Sequence, residues 1–333
     1  MAFKSMGTFP LGFAGGDTAK PITMDAAGIA SGQAFLVSEL EKRDMLVRTP
    51  LTSYTYTRDV PIRVGGGWAE YISAMNVGYG LTGGSGDGLI QSASTDGIPL
   101  VQANFGKDLY KTHVISAGTR VFWVDMQRGN LTGRNIDTLL RDGLRLAYDK
   151  HMDENVYAGF ARYGTTGLLN DPDVTIGAAT GNFSALTPDQ ILADINGAIL
   201  AAWAAAEYDL DAIPNHILLP YEQYNYLATT RIGQLAEKTI LTFLLENNVA
   251  AKNGADLFIG ATSWCKGAGA GGVDRMVVYC NKERYVAVDE LVPLTRAMTT
   301  PNAERFSYDT AYAGNVSETE IFYRETIRYV DGV

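Results

Sequence analysis

Gly267-Ala268-Gly269-Ala270-Gly271-Gly272 carries the G-x-G-x-x-G spacing with which a backbone loop can cradle a pyrophosphate, the chemistry of a dinucleotide site. That chemistry needs a helix directly after the loop, so that free N–H groups meet the phosphate. Here the β-branched run Val273-Asp274-Arg275-Met276-Val277-Val278-Tyr279-Cys280 follows, and the reading is a flexible loop ahead of a strand. His113, His151 and His216 are the candidate near-neutral bases; they fall in a hairpin, a long helix and a buried strand, and no spacing assigns them a nucleophile. Cys265, beside Trp264, reads as a small core residue. The acidic pairs Asp171/Asp173, Asp209/Asp211 and Glu318/Glu320 fall in a loop, at a helix end and on one face of an exposed strand, where turn chemistry and solvation account for them. No catalytic residue, cofactor site or metal site is expected, and the chain reads as a building block instead of an enzyme.

Composition narrows the partners. Charged residues make up 19% of the 333, against about 25% in ordinary globular chains, so little charged surface is available. Net charge is −10 with Lys and Arg scattered, which excludes a sequence-specific nucleic-acid reader yet is compatible with a wall that encloses nucleic acid without sticking to it. Two cysteines cannot make a disulfide framework, which suits a reducing compartment. Residues 1–16 carry one Lys and no continuous apolar run, unlike a secretory signal, and the longest apolar stretch, 198–206, is far short of the roughly 20 residues that span a bilayer. No membrane partner is expected, and synthesis in the cytoplasm follows.

The elements that position these residues divide at Tyr163-Gly164-Thr165-Thr166-Gly167-Leu168-Leu169-Asn170. Residues 1–62 lack periodicity apart from a short helical stretch at 33–42 and read as an extended arm. Residues 63–118, punctuated by Gly65-Gly66-Gly67 and Gly83-Gly84-Ser85-Gly86-Asp87-Gly88, read as a long hairpin with a flexible tip. Trp68, Tyr71, Tyr79, Phe105 and Tyr110 argue that this hairpin is ordered against neighbouring copies of the chain. Apolar residues at helical spacing predict a helix over 134–160, about 40 Å long, with i,i+4 pairs Asp137–Arg141, Arg145–Asp149 and Lys150–Glu154 on a solvated face. Thr187-Pro188-Asp189-Gln190 spells a capping box with Pro in the first helical position. Strands are expected at 215–219, ended by Pro220, at 273–280 paired with 284–288 across 281–283, and at 318–330; a short helix is expected at 238–246. Without a regular βαβ repeat, the class is α+β.

In this order, the arm, the glycine-tipped hairpin, the long helix ending in Gly167-Leu168-Leu169-Asn170, the capped helix after Thr187, and Ile217-Leu218-Leu219-Pro220 with Tyr224 and Leu227 resemble the major capsid protein of tailed bacteriophages, with its Hong Kong 97 type of fold. Asp274-Arg275-Met276-Val277-Val278-Tyr279 and Ile327-Arg328-Tyr329-Val330-Asp331-Gly332 extend the resemblance over nearly the whole chain. It implies an N-terminal arm at 1–62, an extended loop at 63–120, a peripheral domain with a spine helix at 121–164, an axial domain at 165–290, and closing strands of the peripheral domain at 291–333. It also implies self-assembly as pentamers and hexamers into an icosahedral virion shell around double-stranded DNA, bound without sequence specificity, with a separate scaffold, portal and decoration proteins as partners. Trp68, Asp87, Arg134, Arg141 and Arg145 are the expected intersubunit contacts. The alternative on the same fold is an encapsulin-like compartment shell enclosing cargo enzymes.

Overall fold

The computed structural model describes residue 50 and residues 53–82, 100–132, 135–233 and 238–333. After a single turn, α1 (Tyr56–Asp59), and β1 (Ile62–Val64), the 12-residue β2 (Tyr71–Thr82) pairs antiparallel with the first half of the 23-residue β3 (Leu100–Phe122). Then come α2 (Trp123–Thr132), α3 (Ile136–Tyr157), β4 (Ile176–Ala178), α4 (Pro188–Ala205), β5 (His216–Leu219) and three short helices, α5 (Tyr221–Thr229), α6 (Ile240–Glu246) and α7 (Val249–Lys252). The chain finishes with β6 (Phe258–Ala261), β7 (Arg275–Tyr279), β8 (Val286–Glu290), β9 (Val292–Asn302), β10 (Ser307–Ser317), β11 (Glu320–Ile321) and β12 (Ile327–Asp331).

Every residue of β5 and β7 is buried, as expected of strands covered on both faces. They sit inside a five-stranded sheet of order β4-β12-β7-β5-β6. Alternation sends Leu218, Val277, Tyr279, Ile327 and Tyr329 to one face, where they meet Tyr148, Met152 and Val156 of α3. Ile217, Leu219, Met276, Val278 and Val330 go to the other face and meet Ile191, Ile195 and Ile199 of α4. The capping box read at Thr187 forms: its hydroxyl accepts from Gln190 N, and Gln190 Oε1 accepts from Thr187 N at 2.9 Å.

α3 spans 22 residues, shorter at both ends than the expected 134–160. Asn135 caps its start, accepting from Asp137 N and Thr138 N, and Gly159, with φ 64°, turns the chain out of the helix. Gly167-Leu168-Leu169-Asn170 then folds back on the last turn. Leu168 N and Leu169 N donate to the Val156 and Tyr157 carbonyls at 2.8 and 3.0 Å, and Asn170 Nδ2 donates to Ala158 O at 2.6 Å. These bonds satisfy carbonyls that a helix end leaves open. A Cβ on Gly167 would lie 2.4 Å from the Tyr157 carbonyl carbon, so the approach requires glycine.

Two expected pairings are corrected. β7 and β8 flank residues 281–283 but do not pair: β7 lies between β12 and β5, whereas β8 joins β1 and β11 in a three-stranded sheet. The closing run is not one strand, because a 3-10 turn at Arg324–Thr326 separates β11 from β12 and lets them enter different sheets. The segment from 291 onward is therefore shared out: β9 and β10 extend β3 into a four-stranded sheet of order β2-β3-β10-β9, while β12 completes the five-stranded one. The helix expected at 33–42 and the glycine-rich tip at 83–88 lie outside the described residues.

Candidate intersubunit surface

β2 and β3 form a ribbon whose register runs from Tyr71 opposite Lys111 to Thr82 opposite Leu100. Opposed residues share a face and alternate residues change face. One face therefore carries Tyr71, Ser73, Met75, Val77, Tyr79 and Leu81 opposite Lys111, Leu109, Lys107, Phe105, Ala103 and Val101, with eight large apolar or aromatic side chains and two lysines among them. The other carries Ile72, Ala74, Asn76, Gly78, Gly80 and Thr82 opposite Tyr110, Asp108, Gly106, Asn104, Gln102 and Leu100, small or polar along its middle, and Asn76 Nδ2 donates to Asp108 across it. The apolar face is uncovered among the described residues: Met75, Tyr79 and Phe105 keep 72%, 77% and 71% of their surface exposed. An apolar strip of this length on an isolated two-stranded ribbon marks a surface that another surface covers.

The root of the ribbon is fixed to the body. Tyr110 is buried, donates its hydroxyl to Ile321 O at 2.8 Å and meets Phe322 edge-on at 5.7 Å. Lys111 N donates to Glu318 Oε1 at 2.8 Å, Thr112 Oγ1 to Ala69 O at 2.6 Å, and Asn315 Nδ2 to the Gly67 and Ala69 carbonyls at 3.2 and 3.0 Å. Behind the root, β1 pairs parallel with β8. The Arg63 guanidinium there bridges Asp289, at 2.5 Å, and Glu320, at 2.6 Å. Glu320 is fully buried, and burial together with Asp289 pushes its carboxyl up to about 7. The expectation that Glu318 and Glu320 lie on an exposed strand explained by solvation is thus overturned at Glu320, because β11 pairs with β8 and sinks beneath the stem.

The body ends of α1 and α3 are joined by buried carboxylates. Asp153 Oδ1 accepts from Thr55 N and Tyr56 N at 2.8 and 3.1 Å, and its Oδ2 accepts from Trp264 Nε1 at 2.6 Å. Asp59 is held by Arg58, by Tyr157 and by His216 Nε2 at 3.3 Å; burial alone would raise its carboxyl, but the hydrogen bonds from His216, Arg58 and Tyr157 keep it below the ordinary carboxylate value. His216 thus has a buried structural partner. Cys265 is fully buried, and burial pushes its thiol well up, away from the thiolate a nucleophile requires. His151 stacks on Phe160 at 4.5 Å, and His113 lies half-buried 5.4 Å from Tyr163.

The glycine-rich loop is tied by carboxylates: Gly267 N donates to Asp274 Oδ1 at 3.0 Å and Ala270 N to Asp331 Oδ2 at 3.1 Å. Strand β7 follows it, so amides that could have faced a phosphate already serve anions of the protein itself. Asp171 accepts from Asp173 N at 2.9 Å and Asp209 from Asp211 N at 3.0 Å, the local turns expected of them, but Asp171 is buried and paired with Arg324 at 3.2 Å, so solvation does not account for it.

Of the expected contact residues, Trp68 is exposed at the ribbon root beside Gly67. Arg141 is exposed on α3, and Arg145 pairs with Asp149 at 3.3 Å. Asp149 is itself buried and accepts from Tyr56 Oη at 3.2 Å, so that helix face is only partly solvated. Asp87 and Arg134 lie outside the described residues. Tyr71, Tyr79 and Phe105, three of the hairpin aromatics expected against neighbouring copies, meet on the apolar ribbon face, but that they share one face with Met75, Val77 and Leu81 is not evident from the sequence. Apolar residues at 71, 75, 77, 79 and 81 were the available signal, interrupted by Ser73 and weakened by the glycines at 78 and 80.

Comparison with known proteins gives the arrangement a context. A family model described as Major capsid protein matches residues 86–333. The capsid of Myoviridae phage XM1 superposes with a TM-score of 0.75 at 17% identity, over 89% of this chain and 98% of that one. A Microbacterium phage Oxtober96 chain follows at 0.60 and 14%, over 90% and 98%. The capsid of an empty GTA particle computed with C5 symmetry gives 0.60 and 13%, over 93% and 99%. No curated protein matches the sequence. The fold is the α+β Hong Kong 97 type.

Proposed function

The chain belongs to the major capsid protein family, and we propose that its copies, grouped as pentamers and hexamers, close into an icosahedral shell around the double-stranded DNA of a tailed bacteriophage. The observation that carries this reading is the amphipathic ribbon: eight apolar side chains on one face, continuous with a root that is rigidly held. Laid over a neighbouring subunit, that face loses water, and the repeated contact, being heterologous, propagates around a ring. In this reading 1–62 is the arm, 63–120 the extended loop, 121–164 and most of 291–333 the peripheral domain, and 165–290 the axial domain. Trp68, Arg141 and Arg145 contribute to the same interfaces. The net charge of −10 suits a wall that confines DNA without binding its sequence. A scaffold, a portal and decoration proteins are the further partners, the virion is its location, and the host cytoplasm is its place of synthesis.

Electron microscopy of the purified protein tests the proposal. Hollow closed particles, or open rings and sheets when a scaffold is missing, are expected. A strictly monomeric protein at high concentration with an ordered ribbon overturns it.

A further inference from the structure

Glu320 combines three features that the shell reading does not use. Its side chain is fully buried; Oε2 accepts from Arg63 Nη2 at 2.6 Å, and Oε1 has no hydrogen-bond partner among the described residues. The same guanidinium serves Asp289 at 2.5 Å and lies 5.3 Å over the Phe322 ring. With both carboxylates ionised, one positive charge faces two negative ones in a partly desolvated site, and one carboxylate oxygen stays unsatisfied. The cluster also has a particular location. β1 is the last element before the ribbon and is held to β8 through Ile62–Val288, Arg63–Asp289 and Val64–Glu290. Gly65, Gly66 and Gly67 follow, with φ of 126°, 117° and 72°, a stretch free of the side chains that would stiffen it.

We propose that Glu320, Arg63 and Asp289 form a proton-operated latch on the ribbon stem. With Glu320 protonated, β1 stays in its sheet; with Glu320 ionised, the stem loosens and the ribbon gains freedom about the three glycines. Every neighbouring element supplies a group to the cluster. From β10, Ser317 Oγ accepts from Asp289 N at 2.9 Å. From β3, the Tyr110 hydroxyl donates to Ile321 O at 2.8 Å. From α3, Tyr148 Oη engages Glu290 of β8 at 2.6 Å, and Asn155 Nδ2 donates to Ser317 O at 2.8 Å. Arg63 is the cation hydrogen-bonded to both carboxylates, so the proton on Glu320 decides whether the cluster is balanced.

Burial and then Asp289 raise the Glu320 carboxyl from 4.5 to about 7. A group whose folded value is raised stabilises fully below its unfolded value, and that stabilisation is lost as pH climbs through the folded one. The latch therefore holds fully below about pH 4.5, weakens progressively up to about pH 7 and is at its loosest from there upward. Its consequence for assembly, a ribbon easier to reorient at neutral pH and above than in acid, rests on the shell reading; the latch itself does not.

Hydrogen exchange on the unassembled full chain separates the two. Protection factors, corrected for intrinsic rates, are measured from about pH 4 to about pH 8 for amides of residues 62–70, with β7 as the reference for global opening. Protection at 62–70 should fall by up to about tenfold per pH unit between about pH 4.5 and about pH 7 and level off above it, at values well below those of β7, which opens only with the whole fold. Glu320→Gln should flatten the fall. Asp289→Asn, which removes the like charge, should move the midpoint to lower pH and serves as the second variant if Glu320→Gln does not fold. A flat wild-type profile below about pH 7, an unchanged slope in Glu320→Gln, or protection at 62–70 as high as in β7 overturns the latch, and none of these results bears on whether particles form.

Discussion

The five-stranded sheet and the β2–β3 ribbon use the same period-two alternation with opposite outcomes. In the sheet, Leu218 and Val277 turn toward α3 while Ile217 and Val278 turn toward α4, so each face finds a cover inside the subunit. In the ribbon, Met75, Tyr79 and Phe105 line one face that the described residues leave bare, and the opposite face is small or polar along its middle, from Ala74 to Gly80 and from Gln102 to Asp108. A β pattern thus states that a face will be buried without stating by whom. The difference separates residues whose loss unfolds the subunit from residues whose loss leaves a folded subunit unable to join others.

The largest effect on the folded side should come from the turn that returns the chain to α3. Gly167→Val places a Cβ 2.4 Å from Tyr157 C and 2.6 Å from Ala158 N, both backbone atoms, so the Leu168 and Leu169 bonds to the helix end cannot persist. A loss of about 3 kcal/mol or more in urea denaturation is expected. A loss below about 1 kcal/mol would mean that the turn is far softer than the sheet it borders. Leu218→Ala comes next. The side chain is fully buried between the sheet and α3, and its truncation should cost about 2 to 5 kcal/mol, the spread reflecting how far Tyr148 and Met152 collapse into the space.

These two sites also show what the sequence made legible. Ile217-Leu218-Leu219-Pro220 reads as a buried strand with a stop, and Thr187-Pro188-Asp189-Gln190 as a helix start, because the causes are local: covered faces, a missing N–H, a reciprocal cap. Partner choice was not local. The segment 281–283 has the look of a hairpin turn, yet Tyr279 pairs with Ile327 and Val288 with Ile62, at separations no short window contains. Pairing of β3 with β10 joins Val121 to Tyr308 and left no sign in either strand. At the candidate surface, the aromatic residues of the hairpin were visible, but their collection on one face depended on a register that only the fold supplies. Glu320 was misread for the same reason: a glutamate two residues from another looks exposed until β11 is placed beneath Arg63.

Between core and ribbon stands Arg145. Its pair with Asp149 spans 3.3 Å and its guanidinium lies 5.9 Å from the Tyr148 ring centre, but the arginine itself is mostly solvated. Arg145→Ala should therefore cost the subunit about 0.5 kcal/mol or less. If Arg145 contacts a neighbour, assembled particles should lose much more thermal stability than free subunits do; equal small losses would return it to the solvated helix face.

The smallest effect on folding, and the one that decides the comparison, belongs to the ribbon. Tyr79 and Phe105 share the apolar face two register steps apart, Val77 opposite Phe105 and Tyr79 opposite Ala103, and neither belongs to the core clusters on the two sides of the sheet. The double change Tyr79→Ser with Phe105→Ser removes apolar surface that is already wet in the subunit, so its denaturation midpoint should move by no more than an exposed-site change, about 0.5 kcal/mol. Self-association measured by sedimentation should nonetheless fall steeply, because the surface lost is the surface that a neighbour would dry. A subunit destabilised as strongly as Leu218→Ala would place a cover for this face within the same chain. Unchanged association with unchanged stability would leave the strip without a partner of any kind and remove the main physical support for the ribbon as the joining element.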